Sequence, residues 1–90
     1  MTHLSLVEDA PRRQRASTAD RVRHLQAEAA GLARQHIADL ERQLRSAARL
    51  AREVAEGGDA YPAGVRDLSR RMGEDLEARA STLEAIVSRR

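Results

Sequence analysis

Cysteine is absent from the 90 residues, so neither a disulfide nor a thiolate metal site can form, and the chain fits a reducing compartment. Phe and Trp are missing as well, and Tyr61 is the single aromatic. Any core must therefore be built from Leu, Ala, Val, Ile and Met, a thin material that suits close helix packing better than a globule. Lysine never occurs: all sixteen basic residues are Arg. Alongside the abundant Ala, that exclusivity reads as the mark of a GC-rich genome rather than of selection for bidentate phosphate contacts. No long apolar run exists either. Leu4-Ser5-Leu6-Val7 is too short for the core of a signal peptide, and nothing approaches the roughly 20 apolar residues that span a bilayer. A cytoplasmic location without a membrane partner is expected. Fourteen acids nearly balance the arginines, and the formal charge of +2 excludes a strongly basic class.

What is present is a helix-forming mixture of seventeen Ala and ten Leu set among the charges. Residues 1–16 lack a sustained period and contain Pro11 followed by Arg12, Arg13 and Arg15, which reads as a flexible basic arm. Ser17-Thr18-Ala19-Asp20 then offers an N-cap with an acid in the first turn, where the helix dipole favours negative charge. From there no strong stop occurs before Gly57-Gly58, and no proline before Pro62. The spacing predicts an all-α fold, a long antiparallel helical hairpin occupying 17–90. Its first helix runs from about 18 to 56, its turn covers 57–62, and its second helix runs from about 63 to 89.

Apolar residues recur at steps of three and four. The expected core of the hairpin is Leu32, Ile37, Leu40, Leu44, Ala47, Ala51 and Val54 on the first helix. Val65, Leu68, Met72, Leu76, Leu83, Ile86 and Val87 face it from the second. The 11-residue recurrence implies nearly straight packing rather than a left-handed supercoil. Folding at the turn pairs residue i with about 119 − i. Ala47, Ala48 and Ala51 then lie opposite Leu68, Met72 and Gly73, which lets the two axes approach closely and explains a glycine inside a helix. The second helix runs out opposite Ala30, so Val22, Leu25 and Ala29 are left without an intramolecular partner. Two helices can only half bury one another's stripes, so a homodimer is expected, forming a two-fold four-helix bundle of coiled-coil type.

Candidate sites are few. His24 and Glu28 share a helix face, but the Glu-x-x-His pattern of carboxylate-bridged metal sites is missing. No nucleophile with a base and no Gly-rich phosphate loop can be found. No catalytic residue, metal or cofactor is expected. Arg79 lies within the apolar stripe of the second helix. It is either a buried register-setting charge near Asp39, Glu41 and His36, or a side chain snorkelling off the edge to Asp75. Arg42, Arg45, Arg49 and Arg52 form a stripe about 150° from the apolar one, and the acids beside them suggest a solvated face. The densest positive patch is Arg12, Arg13, Arg15, Arg21 and Arg23, against Asp20 alone. Such a patch could bind a polyanion such as nucleic acid, yet there is no aromatic for base stacking and no DNA-binding motif.

From the turn onward Gly57-Gly58, Tyr61, Gly64, Arg66, Arg70-Arg71 and Thr82-Leu83-Glu84-Ala85-Ile86 resemble the C-terminal part of short uncharacterised alphaproteobacterial helical proteins. The likeness covers about a third of the chain. It implies a bacterial cytoplasmic origin and carries no catalytic or binding residue. The expectation drawn from the residues themselves is a small non-enzymatic interaction module that self-associates and docks a partner protein along 18–29. The alternative is a nucleic-acid-associated protein acting through its basic arm.

Overall fold

The computed structural model describes Thr2 to Arg89, with side chains from Ser17 onward. Every regular element among the described residues is helical: α1 spans Thr2–Ala55, a single 3-10 turn spans Gly58–Ala60, and α2 spans Ala63–Ser88. The start of α1 corrects the expectation of a first residue near 18. A cap ends a helix only where the preceding chain turns away. Arg12 to Ala16 are good helix formers, so the helical backbone continues upstream through Ser17-Thr18. The side chains of Arg12, Arg13 and Arg15, with the rest of the proposed basic arm, lie outside the described residues.

The chain divides into two compact units, residues 1–35 and 36–90. Described side chains of the first are exposed along a single run of helix, with Gly31 alone partly covered. Asp20 accepts a hydrogen bond from Arg23 one turn away, and His24 lies 3.9 Å from Glu28.

The second unit holds the hairpin. Helix α1 stops at Ala55 because Gly58 takes the left-handed region at φ 81°, which a residue with a Cβ adopts only under strain. The Glu56 N–H still reaches the Arg52 carbonyl at 3.0 Å, and the Gly57 N–H reaches that of Val54 at 3.1 Å. Pro62, with φ −54° and ψ 140°, is the extended residue before α2, and its carbonyl accepts the first helical bond from the Arg66 N–H at 3.0 Å. It thus stands one place ahead of the first helical position. The Tyr61 ring lies over Gly57, where a Cβ would collide with it, and Arg66 Nε donates to the Tyr61 carbonyl at 3.1 Å. Replacing Gly58 by Ala is expected to lower the stability by about 1 kcal/mol, the strain of a left-handed L-residue. Urea denaturation reads this directly, and an unchanged midpoint would contradict the role given to the turn.

The helices of the hairpin meet through small residues. Ala48, Ala51 and Ala55 of α1 are buried, as are Ser69, Gly73 and Ala80 of α2, with Ala48 and Ala80 wholly covered. Ala48, Ala51 and Ala55 are three and four apart, while Ser69, Gly73 and Ala80 are four and seven apart, so each set lies along one face of its helix. A Cβ built on Gly73 would stand 3.3 Å from the Ala48 carbonyl oxygen and 3.6 Å from the Ala51 Cβ, so at this point backbone meets backbone. Gly73 thus meets Ala48 and Ala51, two of the alanines expected opposite Leu68, Met72 and Gly73, although the pairing of i with about 119 − i taken strictly would set it against residue 46.

Candidate interaction surface

The seam is rotated away from the largest apolar side chains. Of the residues read from sequence as core, Ala51 is buried and Ile37, Leu44, Val54, Leu76 and Leu83 are half-buried. Leu40, Ala47, Val65, Leu68, Met72, Ile86 and Val87 are exposed, as is Leu32 in the first unit. Among the described residues, no large side chain is fully covered. The buried alanines Ala48, Ala51, Ala55 and Ala80, at about 0.8 kcal/mol per methyl, together contribute what one or two buried leucines would. A seam of this kind brings the helices close without supplying much of a core.

The geometry of the uncovered residues follows from about 100° of rotation per residue. On α1, Leu40, Gln43, Ala47, Leu50 and Val54 occupy one arc, displaced from the seam by roughly a quarter turn. Val65, Leu68, Met72, Arg79 and Ile86 occupy the corresponding arc of α2. The helices run antiparallel, as the pairing of Arg45 with Glu77 and Glu84 and of Arg52 with Gly73 requires. Equal displacements toward lower angles therefore bring both arcs to the same side of the hairpin. Leu50 is 62% exposed and Leu68 54%. A shallow groove of about 350 Å³ opens on this side, lined by Leu44, Arg79, Thr82, Leu83 and Ile86.

Within the apolar face the charge is balanced. Arg79 Nε donates to Asp75 Oδ2 at 2.9 Å, and the pair stays exposed. That hydrogen bond and the Asp75 charge, against slight desolvation, raise the Arg79 pKa above its ordinary value. Asp39 is taken by Arg42 and Glu41 by Arg45, so neither is the partner of Arg79.

The opposite side of the hairpin is polar. Arg45 donates to Glu77 Oε1 at 2.6 Å and to Glu84 Oε2 at 2.7 Å, and lies 3.3 Å from Glu41. Partial burial works to lower the Arg45 pKa, but the hydrogen bond with Glu41 and the charges of Glu77, Glu41 and Glu84 outweigh it and raise the value. Arg45 thereby leaves the solvated stripe expected for Arg42, Arg45, Arg49 and Arg52 and becomes a clamp between the helices. Glu77 and Glu84 are one heptad apart on α2, the one sequence signal that could have revealed it. Arg52, Glu56, Arg70 and Glu74 surround a second hollow of about 240 Å³ on the same side.

In the first unit, Val22 and Leu25 are exposed, as is Ala29. Arg21 and Arg23 are exposed too, the latter paired with Asp20. Among the described residues no group of three or more His, Asp or Glu comes together to hold a metal ion. No described helix is long and apolar enough to cross a membrane. Compared with known proteins, the chain matches no family model, no curated protein and no solved structure.

Proposed function

We propose that this chain is a small non-enzymatic helical interaction module of the bacterial cytoplasm, which binds a second copy of itself and offers a further surface to a partner protein. The carrying observation is the mismatch between seam and side chains. The hairpin closes through alanine, serine and glycine, while Leu40, Leu50, Leu68, Met72 and Ile86 stay in water. A lone unit of this size buries too little apolar surface to offset the entropy of ordering its backbone, and association supplies the missing burial. The second surface is the segment 18–29, whose Val22, Leu25 and Ala29 repeat at helical spacing and are exposed. An amphipathic stripe of this kind docks by adding a helix to a groove.

Self-association makes unfolding concentration-dependent. The thermal midpoint followed by far-UV circular dichroism is expected to rise by several degrees between about 1 μM and about 100 μM protein. A midpoint that stays fixed over that range would remove the self-association from this reading.

A further inference from the structure

We infer that the homodimer forms through the apolar face of the hairpin at 36–89, each copy laying Leu50, Leu68 and Met72 against the other, and that the stripe Val22, Leu25, Ala29 takes no part in it. The inference rests on the self-association proposed above and assigns it to one surface.

Three features of this face select a second copy as its occupant. The first is area. The two helices of the hairpin, about 20 and 26 residues long at 1.5 Å per residue, present a face roughly 35 Å long and about 18–20 Å wide. That is about 650 Å², close to the roughly 800 Å² each partner contributes to a standard interface. The second is charge. Along the two arcs the charged side chains are Arg79 and Asp75, which pair with each other. Two identical faces can thus meet without like-charge repulsion, and a two-fold arrangement lets Arg79 of one copy approach Asp75 of the other. The Arg45 clamp marks the opposite side, where glutamates and arginines already satisfy one another. The third is the groove beside Leu83 and Ile86, whose apolar walls can receive a large aliphatic side chain; Leu50 and Leu68 are such side chains on the same face.

The test compares masses of the full-length protein and two variants by light scattering after size exclusion. Leu50→Glu with Leu68→Glu places two charges on the hairpin face, and Val22→Glu with Leu25→Glu places two on the first-unit stripe. The expected result is a dimer for the native chain and for the Val22/Leu25 variant, and a monomer for the Leu50/Leu68 variant. A Leu50/Leu68 variant that stays dimeric, with a Val22/Leu25 variant that becomes monomeric, overturns the assignment and leaves self-association standing. A native chain that runs as a monomer overturns both.

Since Leu50→Glu/Leu68→Glu could unfold the chain, a second measurement uses the absence of native cysteine. Gln43→Cys lies on the apolar face and Arg49→Cys on the other side. In concentrated protein, alkylation of the Gln43→Cys thiol is expected to be at least about tenfold slower than that of the Arg49→Cys thiol, a factor corresponding to about 1.4 kcal/mol of protection, and to match it on dilution. Equal rates for the two variants in the dimer overturn the assignment.

Discussion

Gly73→Leu is expected to lower the thermal midpoint by at least about 10 °C, whereas Gly73→Ala changes stability by less than about 1 kcal/mol in either direction. The difference follows from the space beside Gly73. A single Cβ would sit 3.3 Å from the Ala48 carbonyl oxygen and 3.6 Å from the Ala51 Cβ, so Ala requires a shift of a few tenths of an ångström. Against that strain stands the gain of about 1 kcal/mol that Ala has over Gly inside a helix, and the two nearly cancel. Leucine carries three more carbons into the same gap, where the obstacle is the backbone of α1 and cannot rotate aside. Overpacking of this kind typically costs about 1–3 kcal/mol, and here the upper end of about 3 kcal/mol applies. In a domain of this size each kcal/mol moves the midpoint by about 4–8 °C. A Gly73→Leu variant as stable as the native chain would show that the helices do not touch at this point.

The same contact shows what periodicity could and could not supply. The turn was legible because Gly57-Gly58 and Pro62 act locally: a left-handed glycine ends one helix and an extended proline starts the next, whatever surrounds them. Close approach at Gly73 was legible for the same reason, since a glycine inside a helix otherwise costs stability. The rotation of the seam was not. Counting apolar residues ranks Leu40, Leu68 and Met72 above Ala48 and Ala80 and passes over Ser69. Yet two helices by themselves come closest where side chains are smallest. The largest residues mark the face with most to gain from burial, which need not be the face turned toward the neighbouring helix.

Long-range pairing was hidden as well. Arg45 looks like any member of the stripe Arg42, Arg45, Arg49, Arg52 until the register is known, because Glu77 and Glu84 lie 32 and 39 residues away. The upstream start of α1 was missed because Ser17-Thr18 carry a capping signal that a helix-favouring segment before them overrides. Of the candidate surface, the membership of Leu40, Ala47, Val65, Leu68, Met72 and Ile86 in one apolar stripe was readable from spacing. Their exposure on one side of the hairpin depends on the rotation of both helices.

Sedimentation equilibrium of the native chain tests most directly whether such a hairpin can stand alone. An isolated hairpin would hold together on an alanine seam, one clamp at Arg45 and a locked turn, with its leucines in water. Pairing two hairpins covers those leucines, and a fully buried leucine contributes about 1.5–3 kcal/mol. Leu50, Leu68 and Met72 are about half exposed on each copy, so covering all six contributes roughly 5–9 kcal/mol toward association, and the rest of the apolar face adds to that. The expected mass is twice the 10.0 kDa of one chain, with helicity retained at that mass. A fully helical species of 10.0 kDa that does not change with concentration would contradict it.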